Sequence, residues 1–242
     1  MKNYLPIILL SAGLLFSSGI LLAQDELDIF QEAAGDVSVL FRGKQATRYS
    51  FAYNGNPYWE RPDFQSGDVL FEGNLYRNLL INVDAREQRV LVRKFSGVTA
   101  VSLTPLQTPS FTIGDRHFVG IGPGEALEEG FYEVFGTGDQ RVYKHVEKIL
   151  SEAVTDMNGT AIGYYDPGYR TDVYRYFALK TSYFFRNADG EFSRIRSRGA
   201  LLRKFPSDSR KEIRRAVKAA GIGSSKDQVD AYCKAVLKAA AR

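Results

Sequence analysis

The sequence of 242 residues predicts a mainly β fold of the α+β class: an antiparallel β-meander that forms a sandwich or open barrel, followed by a C-terminal two-helix element. Tyr and Phe, which favour strands, occur 14 and 16 times. Apolar and polar residues alternate through short segments that turn residues separate, which is typical of antiparallel strands. After Pro206 the apolar spacing changes to three and four residues, which is the period of a helix.

The first element is a signal peptide, predicted over residues 1–23. Lys2 precedes an apolar run over residues 5–22, and the small residue Ala23 stands at the cleavage position. We expect cleavage after Ala23, so that the mature protein is exported and is periplasmic or associated with the outer membrane. No cysteine lies near this junction, which argues against lipid attachment there.

Residues 24–200 form the predicted β-rich domain. The first strand candidates are Val39, Phe41, Tyr49, Phe51 and Tyr53. The stretch 67–95 then predicts three strands of a meander, around residues 69–71, 79–83 and 90–92, with a polar turn at 84–88. The strand pattern continues at residues 98–103, 110–113 and 117–121. The near-continuous apolar runs suggest that both faces of this sheet are partly covered.

The second half of this domain contains two predicted hairpins. Residues 131–135 and 141–150 flank a Gly-Thr-Gly-Asp turn; the second arm also fits a helix, but its turn chemistry favours a strand. Residues 151–173 predict a long loop or mobile flap. The last hairpin joins residues 173–186 to 191–196 through the turn at 187–190.

Residues 201–242 form the predicted basic helical pair. Ser209 with Glu212, and Ser224 with Asp227, have the spacing of helix-starting capping boxes. The apolar stripes of the two helices are predicted to pack on the sheet through Ile213, Val217, Val236 and Leu237.

The positive charge of the chain is concentrated at this end. Residues 193–242 contain fourteen Lys or Arg and four Asp or Glu, so the rest of the chain is acidic. The pattern predicts contact with an envelope protein or an anionic membrane surface, and export disfavours nucleic acid. The predicted contact residues are Arg203, Lys204, Arg210, Lys211, Arg214 and Arg215. The alternative is an ordinary solvated helix face.

Clustered aromatic residues predict a second binding surface, because flat rings with polar tips stack on sugars or peptide side chains. The candidates are Tyr53, Tyr58, Trp59, Tyr164, Tyr165 and Tyr169. Trp59 is the ring expected to be exposed, and the alternative is that most of these residues belong to the core. A glycan is therefore a further candidate ligand.

No pattern in the sequence predicts a catalytic, metal or cofactor site. His117 and His145 fall in predicted strands, where we expect ordinary residues with a hydrogen-bond partner, and Cys233 on a helical apolar stripe predicts a buried structural thiol. The turn carboxylates Asp63, Glu125 and Glu128 leave open a glycan-acting enzyme, provided that the fold pairs them at the required separation.

The runs YNGNPYWERPDF, GDVLFEGNLYRNLLINVDAREQRVLV, GFYEVF and LLRKFPSDSRKEIRRAVKAAG together resemble a group of exported β-rich envelope proteins of Gram-negative bacteria with no assigned activity. The resemblance implies location and fold and transfers no catalytic residue. The expected function is therefore a non-catalytic binding or structural module of the envelope. The alternatives are the glycan-acting enzyme and a carrier that shelters a lipid or another apolar ligand within the curved sheet.

Overall fold

A single antiparallel sheet of eleven strands dominates the computed structural model, which describes residues 39–49, 54–94, 99–155, 172–223 and 225–241. The strands are β1 (Lys44–Gln45), β2 (Gln65–Phe71), β3 (Asn74–Asp84), β4 (Arg89–Arg93), β5 (Val101–Leu103), β6 (Ser110–Ile113), β7 (Arg116–Ile121), β8 (Gly130–Phe135), β9 (Arg141–Thr155), β10 (Asp172–Arg186) and β11 (Phe192–Ile195). The helices are α1 (Arg198–Leu202), α2 (Ser207–Ala219) and α3 (Val229–Ala240), and short 3-10 helices span Val39–Arg42 and Lys226–Gln228.

The strand order is β1-β5-β4-β3-β2-β6-β7-β8-β9-β10-β11. The chain runs as a meander from β2 to β5, crosses back to pair β6 with the free side of β2, and continues as a second meander to β11. The predicted mainly β fold with C-terminal helices is confirmed, and the sheet is not closed into a barrel. The residues predicted to form the signal peptide lie outside the described part of the chain.

The sheet bends where β2 changes register between Gly67 and Val69. A Cβ atom on Gly67 would lie 1.9 Å from the carbonyl oxygen of Thr112, so only glycine fits this close approach of β6. The β3–β4 turn then reaches across to β9, where the Ala85 carbonyl accepts a hydrogen bond of 3.0 Å from the Lys148 amide. The bend thereby encloses the inner face of the sheet.

Aromatic side chains fill this inner face. Phe111 and Phe118 are stacked with centroids 4.6 Å apart, and Phe131 meets Phe111 edge to face at 5.3 Å. All three are buried with the apolar residues of β2 to β5. Burial of such rings is among the largest apolar contributions that single residues make to folding.

The helices cover the part of the sheet near the β8–β9 turn. Ile213 and Val217 of α2 and Val236 and Leu237 of α3 are buried against Phe135, Val142 and Phe185 of the sheet. The prediction that these four residues attach the helical pair to the sheet is confirmed. Because the helices complete an apolar core that the sheet begins, removing them would expose that core to water.

Several predicted elements differ from the structure. Val39 and Phe41 lie in a 3-10 helix rather than a strand, and part of the predicted loop at 151–173 continues β9 and β10, whose remaining connection lies outside the described residues. Neither capping box starts its helix: α2 begins at Ser207 after Pro206, and α3 at Val229 after a 3-10 turn. Pro206 offers no side-chain acceptor, so α2 begins without a side-chain cap, and Gln228 forms no cap hydrogen bond at the start of α3.

The described helices are all too short or too polar to cross a lipid bilayer.

Candidate functional site

The predicted basic surface lies on α2, whose two sides differ sharply. Ile213 and Val217 face the core, whereas Lys211, Arg214, Arg215 and Lys218 are exposed. Their spacing of three and four residues places these four cations on one side of the helix. Arg203 and Lys204, in the turn before α2, are exposed as well. We call these six residues the basic face.

No member of the basic face forms a salt bridge with any carboxylate in the described chain. Asp208 and Glu212 belong to the same helix, yet neither lies within salt-bridge distance of these cations. Like charges three and four residues apart repel, so the arrangement slightly weakens the helix that carries it. The basic face therefore adds nothing through ion pairing to the stability of this fold.

Arg210 differs from the other predicted contact residues because it is engaged within the fold. Its Nε donates to the Phe205 carbonyl at 2.8 Å and its Nη2 donates to the Arg203 carbonyl at 3.1 Å. These bonds satisfy carbonyl groups after α1, where the helix leaves acceptors unpaired. Arg210 thus fixes the turn that presents the basic face.

A chain of buried and partly buried charges connects the sheet to α3, and the sequence patterns did not predict it. Glu133 on β8 accepts two hydrogen bonds of 3.0 Å from Arg116 on β7, and Lys144 on β9 lies 3.8 Å from the same carboxylate. Lys144 also contacts Asp230 of α3 at 2.5 Å, and the Tyr183 hydroxyl donates to Asp230 at 2.7 Å. The side chain of Glu133 is only 4 % exposed.

This charge network satisfies groups that would be costly to bury alone. Burial by itself would lower the pKa of Arg116, but Glu133 and Glu60 outweigh it, and the pKa is raised. Burial and the bond to Asp230 raise the pKa of Tyr183. Because Lys144 and Tyr183 of the sheet both contact Asp230 of α3, we interpret the network as a contact that fixes α3 on the sheet.

The described structure places two of the six residues of the predicted aromatic surface, Tyr58 and Trp59. Trp59 is only 6 % exposed and meets Phe118 edge to face with centroids 5.4 Å apart, so the expectation that it is the exposed ring is wrong. Tyr58 is half-buried and forms a bridge with Asp84 through its backbone. The other four candidates, Tyr53, Tyr164, Tyr165 and Tyr169, lie outside the described residues.

Asp84 is a buried acid that the sequence placed in a turn. Its Oδ2 accepts from the Tyr49 hydroxyl at 2.6 Å, and its Oδ1 accepts from the amides of Arg86 and Glu87 at 2.9 Å. Burial raises the pKa of Asp84, although these hydrogen bonds act in the opposite direction. The carboxyl group closes the β3–β4 turn and holds Tyr49 over it, which is a structural role.

The turn carboxylates of the enzyme alternative are exposed. Asp63 precedes β2, whereas Glu125 and Glu128 lie in the β7–β8 loop. Glu125 accepts a hydrogen bond of 2.6 Å from the Gly122 amide and so closes its own loop. Nothing in their contacts favours a catalytic pair.

The two histidines occupy unlike positions on β7 and β9, the two strands that flank β8. His117 is exposed on β7, whereas His145 on β9 is 4 % exposed and packs edge to face on Tyr132. Both ring nitrogens of His145 lack a partner in the described structure, so the expected hydrogen bond is not found. Burial is the main reason why the pKa of His145 is lowered.

Cys233 is buried in the helical core, as expected, and burial raises the pKa of its thiol to about 12. Within the described residues, no group of three or more His, Cys, Asp or Glu side chains is arranged to hold a metal ion.

The inner face of the sheet is where the carrier alternative would place a lipid or another apolar ligand. The cavity between Trp59 and Phe118 measures about 10 Å³, which is the space of one water molecule at most. A larger cavity of about 240 Å³ opens between β10, β11 and the helices. It is lined by Thr181, Tyr183, Ile195, Arg196, Ser197, Arg198, Leu201, Val229, Tyr232 and Cys233. No local sequence pattern indicates this cavity, because its walls come from separate segments of the chain.

Comparison of the chain with protein family models, with curated proteins and with solved structures found no match.

Proposed function

We propose that the protein is an exported, non-catalytic binding or assembly module of the bacterial cell envelope, and that the basic face contacts an anionic partner there. The observation that carries the proposal is the contrast between the cations of this chain. Arg116 and Lys144 are paired and hold the fold together, whereas the cations of the basic face are exposed and form no salt bridge in the described structure.

This contrast favours a partner because the basic face is mildly unfavourable for the isolated protein. An anionic surface would relieve the repulsion and would attract the protein over about 8–10 Å at physiological salt. Arg210 and the buried residues of α2 hold the face rigidly, so binding requires no ordering of the helix. The acidic remainder of the chain would orient the protein with α2 towards such a surface.

Deletion of the helices is not a usable test, because it would expose Phe135, Val142 and Phe185. Charge reversal leaves this core intact. We therefore compare R214E/R215E with K44E/R48E, which makes the same change of net charge at two exposed cations near β1, at the other edge of the sheet.

The assay is co-sedimentation of the purified protein, residues 24–242, with isolated envelope membranes at two salt concentrations. We expect wild-type binding that weakens as salt rises, a loss of at least tenfold in R214E/R215E, and nearly unchanged binding in K44E/R48E. Equal binding by both double variants, or no binding by the wild type, would overturn the proposal.

A further inference from the structure

The long strand β10 has an open stretch on one of its edges. On one side it pairs with β9 along all fifteen residues without a register shift. On the other side Asn54 bonds to Arg175 and Phe177, and β11 pairs with Tyr183–Arg186. Between these two contacts, no strand of the described chain lies beside residues 178–182.

The direction of the backbone groups in this stretch follows from the bonds at its ends. The Phe177 amide donates to Asn54 at 3.2 Å, away from β9, so the odd-numbered residues of β10 direct their N–H and C=O groups to this edge. Leu179 and Thr181 lie between the two contacts. No described backbone group bonds to either of them from that side, and the Leu179 side chain is 62 % exposed.

The 240 Å³ cavity lies at the β11 end of this open edge, since it is lined by Thr181 of the open stretch and by Tyr183, where the pairing with β11 begins. Ile195, Leu201 and Val229 give it an apolar wall. Its volume is below the roughly 300 Å³ at which small-molecule sites begin, but it is sufficient for one apolar side chain. An unpaired strand edge beside a side-chain pocket is the arrangement that binds peptides by strand addition.

The charges around the cavity indicate the chemistry of its ligand. Two arginines line it, Arg196 and Arg198, and the Arg198 guanidinium donates to the carbonyls of Gly223 and Ser225. Arg196 is exposed and forms no salt bridge within the described chain. Asp230, which bonds to Tyr183 of the cavity wall, is already paired with Lys144. The rim is therefore cationic and complements a carboxylate.

We propose that the open edge of β10 binds an extended peptide segment of a partner protein as an additional strand, with one apolar side chain in the cavity and an acidic residue beside Arg196. This site is separate from the basic face, so each proposal stands or fails without the other. The backbone of Leu179 and Thr181 supplies the hydrogen bonds of the new strand. The cavity and Arg196 supply the sequence preference.

The test uses a phage-displayed library of linear 12-residue peptides, selected on the purified mature protein. L179P removes the edge-facing N–H together with an exposed side chain, but it removes no donor from the β9 ladder. R196E reverses the rim charge. L106K is the control for the loss of an exposed leucine, since Leu106 is 72 % exposed, against 62 % for Leu179, and lies in a distant turn. Denaturation curves establish that each variant is folded.

We expect selected peptides that combine an apolar residue with Asp or Glu, and that bind L179P and R196E at least tenfold more weakly than wild type and L106K. Hydrogen exchange at the Leu179 and Thr181 amides should slow in the complex. Failure to enrich such peptides, equal binding to L179P, or unchanged exchange would overturn the proposal. Concentration-dependent dimers that L179P abolishes would assign the edge to a second copy of this chain instead.

Discussion

The buried charge network predicts a large and specific effect for the substitution Arg116→Met. Arg116 provides both of the 3.0 Å hydrogen bonds that Glu133 receives, and the Glu133 side chain is only 4 % exposed. Removing one partner of a buried ion pair typically costs about 3–5 kcal/mol, because the other charge stays buried without compensation. Met keeps most of the apolar stem of Arg but lacks the guanidinium group, whose Cζ lies 5.0 Å from the centroid of the Phe118 ring.

The position of Lys144 sets the size of this loss. Lys144 remains 3.8 Å from Glu133 in the variant. At an effective dielectric of about 20, the gross attraction of this pair is roughly 4 kcal/mol, compared with about 5.5 kcal/mol for the Arg116–Glu133 pair at 3.0 Å. Much of the stabilisation of the carboxylate therefore survives. We expect R116M to lose about 3 kcal/mol, at the lower end of the usual range.

The assay is urea denaturation of wild type, R116M, E133L and R116M/E133L, with the free energy of unfolding taken from the midpoint and slope. The double variant buries no carboxylate at this position, so it should be at least 2 kcal/mol more stable than the sum of the two single losses predicts. A loss below 1 kcal/mol in R116M, or strict additivity, would refute the interpretation that this pair is strongly coupled.

Three further predictions concern other parts of the fold. The pKa of His145 is lowered below 6.5 in the folded state, so the unfolded chain binds more protons just below that pH. The contribution of His145 to stability should therefore be fully present above pH 6.5 and should fall as the pH drops towards the folded pKa. In urea titrations at several pH values, H145Q should flatten this slope more than H117Q. G67A should cost more than about 3 kcal/mol in thermal unfolding, because its Cβ would strike the Thr112 carbonyl, whereas G138A, with no atom within 4 Å, should cost under about 1 kcal/mol. Cys233, buried with a pKa of about 12, should react with a thiol reagent only under unfolding conditions, and rapid labelling of the native protein would contradict its placement in the helical core.

Local pattern was sufficient for most of the secondary structure. The alternation at residues 69–71, 79–83 and 90–92 correctly predicted β2, β3 and β4, and the turn chemistry correctly favoured a strand for β9 over a helix. The helix starts were predicted less well, because both helices begin without a side-chain cap and Ser209, the predicted start, lies within α2. The buried charge network has a local signal in the sequence, because charged residues stand within apolar strand faces. Glu133 lies on the same face as Phe131 and Phe135, and Lys144 lies on the same face as Val142 and Val146.

The sequence by itself determined the fold class, the helical pair with its buried stripes and the position of the exposed cations, because these depend on periods of two or 3.6 residues within one segment. The tertiary structure decided which strands are neighbours, that Trp59 belongs to the core, that Glu133 and Lys144 meet Asp230, and that β10 keeps an open edge beside a cavity. Each of these depends on contacts between residues far apart in the chain. Such contacts are set by how the whole sheet bends and packs, which no single segment encodes.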